Sequence, residues 1–399
     1  MAAARSSSSL LPALLQLLLA ALICLFSIPA AAAEGARATA VIVFGDSTVD
    51  AGNNNFWPTT AKGNFPPYGR DFPGGRATGR FSNGRVSPDF YPAALGLGRD
   101  FVPAYLDPSY SIQDFATGVN FASAGSGMDD TTSIALVSPI TTRLQPLAVI
   151  TFFFVQAAQL FYGAVFVPNM CVYIYPQNVI TLSKQLDLFR QYKSRLAQQL
   201  GADEAEKVLN GAVYVISIGS NDFAANYFAM TSPGRHVEYP TVQLYTAYLV
   251  GLAQRFIADI HALGARKIGF EELFPLGCLP AERAALLGLC NEVPNAAARG
   301  FNDAMRAMVQ GLNLPGADVR VAELYGFMDA LLHNPTQYGF ERADLACCGT
   351  AGLGCIPYGP ACPDAGKYVY WDNAHTTDRA HGAIAAYLFN NTFGAFASA

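Results

Sequence analysis

The chain has 399 residues, 30 acidic side chains against 25 basic ones, eight cysteines and 52% hydrophobic content. A formal net charge of −5 with only 14% charged residues offers no basic face for a phosphate backbone, which excludes nucleic acid as a partner. Aromatic content of 12% beside so few charges excludes disorder, and the length fits two or three domains of about 150 residues or one large α/β domain.

The N-terminus has the order of a secretory signal. Arg5 is the one charge ahead of a predominantly apolar stretch from Leu10 to Ile28, and the small residues Ala30 to Ala33 follow. Residues 1–33 are therefore expected to be cleaved, Cys24 with them, leaving one domain over 37–399. No basic stop-transfer cluster follows, so no stable membrane span is expected there. Secretion gives an oxidising context for Cys278, Cys290, Cys347, Cys348, Cys355 and Cys362, while Cys171 stands apart. There is no CxxC pair, and no metal is expected. The spacing predicts one bridge between Cys278 and Cys290 and the others within the last four cysteines, whose pairing stays open.

Along the chain, Val41 to Phe44 is a short β-branched apolar run that ends in Gly45-Asp46-Ser47, as a buried strand feeding a loop. Ala212 to Ile218, Lys267 to Phe270 and Val319 to Ala322 read as further strands. Apolar spacings of three and four predict helices over Leu182 to Leu200, Val242 to Leu263, Asn295 to Leu312 and Asp378 to Phe389. Strands alternating with helices imply a parallel sheet covered by helices, with the ligand site beyond the carboxyl ends of the strands, where Ser47 and Asn221 fall. One stretch departs from this plan. The forty positions between Arg143 and Lys184 hold no Asp, Glu, Lys or Arg. They fit a membrane-buried hairpin, a buried helix or an apolar insertion at about 137–177.

Acyl transfer needs a nucleophile, a base, a group that orients the base, and donors for an oxyanion. Asp372-Asn373-Ala374-His375 offers a carboxylate three residues before an imidazole, close enough to reach Nδ1 across a turn and leave Nε2 free; the alternative role is capping a helix that begins near Thr377. Ser47 lies on a loop rich in turn formers, Gly45 to Asn55. G-x-S-x-G, Walker, HExxH and GxGxxG patterns are all absent. His236, His261, His333 and His381 read as surface or helix-packing histidines, and Asp222 as a turn aspartate bonded to its own backbone.

Four separated blocks in order, FGDSTVDAGNNN from Phe44, GVNFASAGSG from Gly118, GSND from Gly219 and WDNAH from Trp371, resemble the plant-type GDSL esterases and lipases of the SGNH hydrolase superfamily. RFSNGRVSPDF from Arg80 and ACCGT from Ala346 extend the likeness, which runs from about Val41 to Phe389. The resemblance implies a three-layer α/β/α, flavodoxin-like fold. It implies Ser47 as nucleophile, His375 as base, Asp372 as its orienting partner, and Gly125 and Asn221 as oxyanion donors beside the Ser47 amide. Three departures stand out: Ala124 where the family often has Gly, Thr376 where proline usually follows the histidine, and the uncharged stretch, which has no family counterpart. The expected function is a secreted serine esterase or lipase acting on a small-molecule or polymer-bound acyl ester without cofactor or metal. The rivals are an acyltransferase with the same residues and a non-catalytic wall or lipid-binding protein. Neither oligomeric state nor the natural substrate is legible.

Overall fold

The computed structural model describes residues 38–134, 178–228 and 235–397, together with the backbone of four short strands between 136 and 176. The expected signal, residues 1–33, lies outside the described residues. So does most of the uncharged stretch.

Five parallel strands form the central sheet: β1 (Val41–Gly45), β2 (Gly118–Asn120), β3 (Val213–Ser217), β4 (Lys267–Glu271) and β5 (Asp318–Ala322), in the spatial order β2-β1-β3-β4-β5. The inner strands are apolar on both faces because helices cover both sides. Alternate residues show the two layers. Ile42, Phe44, Tyr214 and Ile216 pack with α1 (Leu182–Leu200), α2 (Ala202–Gly211), α3 (Val242–Ala262) and α4 (Glu292–Gln310). Val41, Val43, Val213 and Val215 pack instead with α5 (Tyr325–His333) and α6 (Asp378–Asn391). The architecture is thus the three-layer α/β/α expected from the sequence. β2 was not foreseen as a strand; at three residues it is too short to print a pattern, and it pairs as Val41 with Gly118 through Val43 with Asn120.

Helix α1 shows how local signals set these elements. Thr181 accepts the Lys184 amide at 3.1 Å as an N-cap, and the helix stops at Gly201. Between them Leu182, Leu186, Phe189, Tyr192 and Leu196 recur at helical spacing and are buried. Phe189 meets Phe44 edge-on at 5.4 Å, and Phe44 also stacks on Phe121 at 5.2 Å. Truncating a ring in such a cluster typically costs about 3–5 kcal/mol.

Beyond the main sheet, β6 (Arg342–Ala346) and β7 (Tyr368–Tyr370) pair in parallel and lead into α6. Three disulfides close this C-terminal half: Cys278–Cys290, Cys347–Cys362 and Cys348–Cys355. The first is the bridge predicted from spacing, and the others fall within the last four cysteines as expected. No described helix is long and apolar enough to cross a membrane.

The two ends of the insertion expected at about 137–177 meet. Leu136 pairs with Pro176 and Val137 with Tyr175 in an antiparallel ladder, and the Val179 amide donates to the Ser133 carbonyl at 3.1 Å. The chain therefore leaves and re-enters the domain at one place. Joining Leu136 directly to Asn178 is expected to raise soluble yield and leave the thermal midpoint within a few degrees of the full-length value, read by circular dichroism. An unfolded deletion beside a soluble full-length protein would show that the stretch is integral to the fold.

Candidate active site

Ser47 follows β1 by two residues and lies half-buried in a turn that Asp46 organises. The Asp46 carboxylate accepts the Thr48 amide at 2.9 Å and the Thr48 hydroxyl at 2.8 Å, while its own amide donates to the Ser217 carbonyl at 3.1 Å. Gly45 is required just before it. Its φ is +152°, and a Cβ there would come within 2.1 Å of the Ser217 carbonyl oxygen.

The turn formers between Asp50 and Asn54 are buried rather than solvated. Asp50 accepts the amides of Gly52, Asn53 and Ala124, Asn53 donates to the carbonyls of Asn120 and Ala122, and Asn54 donates to the carbonyl of Ala124. These bonds lock the Ser47 loop to the loop after β2, where Gly125 takes φ +87°. Asn221, beyond β3, donates from Nδ2 to the Ser126 carbonyl at 2.9 Å, which brings it beside Gly125.

Asp372 and His375 share a tight turn between β7 and α6. The Trp371 amide donates to the His375 carbonyl at 2.7 Å, and Nδ1 of His375 lies 2.9 and 2.8 Å from Oδ1 and Oδ2 of Asp372. Asp372 is fully buried and also accepts the amides of Ala374 and His375. Helix capping is not its role: Thr377 caps α6 by accepting the Ala380 amide. His375 and the Ser47 loop converge, since Thr48 and Val49 line the same cavity of about 40 Å³ as Ala374, His375 and Thr376. Among the described residues no hydrogen bond links Ser47 to His375; such contacts often tighten only around substrate.

The other histidines are engaged elsewhere. His381 has Asp378 three residues before it, the same spacing as Asp372 and His375, yet Asp378 pairs with Arg85 while Nδ1 of His381 meets the Ser87 hydroxyl at 2.9 Å. His236, His261 and His333 bond to the carbonyls of Tyr227, Pro315 and Asp329. Asp222 does not bond its own turn as expected: it accepts the amides of Met128 and Asp129, plus the Thr132 hydroxyl, because burial beside the loop beyond Gly125 puts those donors in reach.

Three buried polar residues at the site carried no motif. Gln185 on α1 accepts the Gly45 amide at 3.0 Å and donates back to the Gly45 carbonyl at 2.9 Å. Its place among Leu182, Leu186 and Phe189 on the apolar stripe is a readable signal. Tyr68 donates to Asp372, and Glu271 lies in the cavity beside Ser217; neither has a sequence signal. The described residues hold no group of ligands that would bind a metal.

The model of GDSL-like lipases and acylhydrolases matches residues 41–388. The chain belongs to that family. Among its relatives is the GDSL esterase/lipase At2g04570 of Arabidopsis thaliana, 41% identical over 90% of this chain and 92% of its own. Two others from the same plant, At2g42990 and At4g26790, are 40% and 39% identical over 93% and 90% of this chain and 96% and 93% of theirs.

Buried carboxyls around the site have a consequence for stability. Burial lifts Asp46 and Asp50 to about 6 and Asp222 and Glu271 to about 7, against hydrogen bonds that pull each one down. Unfolded carboxyls titrate near 4, so between about pH 4 and 7 the native state binds more protons, and stability falls as pH rises through that window. His381 acts in the opposite sense, since burial lowers it to about 4 and its contribution is lost as pH falls below about 6.5. Four carboxyls outweigh one imidazole. The thermal midpoint is therefore expected to drop between about pH 5 and 7, with a shallower slope in Glu271→Gln; a midpoint that rises over this range would contradict the burial assignment.

Proposed function

We propose that this protein is a secreted serine esterase in which Ser47 attacks an acyl ester, His375 takes the serine proton, and Asp372 orients the imidazole. Membership of the GDSL lipase and acylhydrolase family makes it a carboxylic ester hydrolase. The observation that carries the finer reading is the Asp372–His375 contact of 2.8 Å, on a turn that lines one cavity with the residues following Ser47. An Nδ1–H held on a carboxylate fixes the tautomer whose Nε2 is the base.

Attack by Oγ on the carbonyl carbon makes a tetrahedral oxyanion. The donors proposed for it are the backbone amides of Ser47 and Gly125 and the side-chain amide of Asn221. Nδ2 of Asn221 spends one hydrogen on the Ser126 carbonyl and has a second to offer. His375 then returns its proton to the departing alcohol, leaving an acyl-enzyme. Water, deprotonated by the same imidazole, releases the acid and restores the serine. No group outside the chain is needed. Secretion is supported by the signal-like residues 1–33 and by three disulfides, which persist in oxidising compartments.

Ser47→Ala is expected to abolish hydrolysis of a short p-nitrophenyl ester and labelling by a fluorophosphonate while leaving the circular dichroism spectrum unchanged. Asp372→Asn should lose about 10⁴-fold in kcat by stabilising the wrong tautomer, and Asn221→Ala about 10²–10³-fold by removing one oxyanion donor. Retention of more than a few per cent of activity in Ser47→Ala would refute the nucleophile. Adding glycerol as acceptor separates hydrolase from acyltransferase, because only the latter yields a glycerol ester as its main product.

A further inference from the structure

The Asp372 carboxylate has four partners, three of them within its own turn: Nδ1 and the amide of His375, and the amide of Ala374. The fourth comes from a remote part of the chain. The hydroxyl of Tyr68 donates to Oδ2 at 2.7 Å, in a fully buried contact. Both amides fall on Oδ1, so Tyr68 is the partner that holds Oδ2 where it meets Nδ1 of His375 at 2.8 Å.

Tyr68 is itself tied down. Its oxygen accepts the Cys355 amide at 3.1 Å, which leaves the hydroxyl proton committed to Asp372. Burial, with the nearby carboxylate, raises its pKa well above the usual tyrosine value, so the group remains a donor at any working pH. Its ring meets Phe65 at 5.3 Å and Phe81 at 5.5 Å, and Phe81 lies 4.9 Å from the His375 ring. Cys355 is bridged to Cys348, whose amide donates to the carbonyl of Trp371 at 2.9 Å. The contacts close a circuit from Asp372 through Tyr68, Cys355 and Cys348 to Trp371, the residue before Asp372. Gly354 leaves space for it, since a Cβ there would lie 2.9 Å from the Tyr68 oxygen.

We infer that Tyr68 is a positioning residue for ester hydrolysis: anchored on the disulfide-closed loop, its hydroxyl holds the Asp372 carboxylate in the orientation that presents His375 to Ser47. This rests on the proposed triad. A tyrosine that only filled the core would act through its ring, and phenylalanine would replace it without kinetic cost. Hydrogen bonds to charged groups are the stronger kind, so losing the hydroxyl should misplace the base in the transition state and leave substrate binding alone.

The experiment compares wild type, Tyr68→Phe, Gly354→Ala and the double variant by steady-state kinetics on p-nitrophenyl butyrate, with circular dichroism to verify folding and Ser47→Ala as reference. Tyr68→Phe is expected to lower kcat about tenfold with KM within about twofold. Gly354→Ala should lower kcat by crowding the hydroxyl, and should cost nothing further in the Tyr68→Phe background, where the crowded atom is gone. A wild type whose activity depends on Ser47, beside a Tyr68→Phe variant with kcat within twofold, overturns the positioning role alone. Equal losses from Gly354→Ala in both backgrounds overturn it too, because the added methyl then acts without the hydroxyl. Full activity in Ser47→Ala removes the triad and this inference with it. If Tyr68→Phe does not fold, Gly354→Ala decides: a folded variant with wild-type kcat overturns the role, and one with lowered kcat at unchanged KM supports it.

Discussion

The carbonyl of Gly45, last residue of β1, accepts from the Ser123 amide, the Ser126 hydroxyl and Nε2 of Gln185, and the rest of the site is built outward from it. A strand that ends inside a domain leaves backbone groups that water cannot reach, and each must find a partner. Here the partners come from the loop after β2 and from the apolar face of α1. Satisfying one carbonyl therefore fixes three elements against each other, and Asp46 and Ser47 begin from a point that cannot drift.

The same requirement explains the polar composition of the loops. Asp50, Asn53, Asn54 and Asp222 are all essentially buried, and between them they accept from or donate to backbone groups of the loops that follow β1 and β2. Each buried side chain replaces water as the partner of a loop that has no ladder of its own. The cost is electrostatic. Burial raises the pKa of Asp50 to about 6 and of Asp222 to about 7, so these loops are held by groups that resist ionisation in the fold.

How much of this was legible follows from the length and polarity of each signal. β1 and β3 are apolar runs, β4 and β5 keep an apolar centre or alternation between charged residues, and α1 shows a clear stripe, so their positions read from the sequence. β2 consists of Gly, Val and Asn, and its strand character comes from pairing with β1 rather than from composition. Helix α2, with its charged outer face and few apolar residues, was also missed. The Asp372–His375 pair was visible because both members lie in one turn. The strands before Ser47 and Asn221 placed both at the ligand end of the sheet, while the roles expected of them came from the resemblance of the blocks that hold them. Tyr68 was not, since 304 residues separate it from its partner and only the folded chain brings them together.

The two halves of the site are supported by different means. On the side of the proposed oxyanion donors, the Ser47 loop, Gly125 and Asn221 are joined by hydrogen bonds among amides and carboxylates. The C-terminal end of the uncharged stretch enters here, with the Val179 amide on the Ser133 carbonyl and the Ile180 amide on the Ser123 hydroxyl. On the histidine side the support is covalent. Cys347 and Cys348 donate to the Trp371 carbonyl, Asn373 bonds to the Leu353 and Gly352 carbonyls, and both disulfides of that region close the loop those residues belong to. A disturbance within the uncharged stretch would therefore reach the proposed oxyanion donors through Ser123 and Ser133 before it reached His375. Loss of the Cys348–Cys355 bridge would act first on Asp372 and leave Gly45 and its three donors in place.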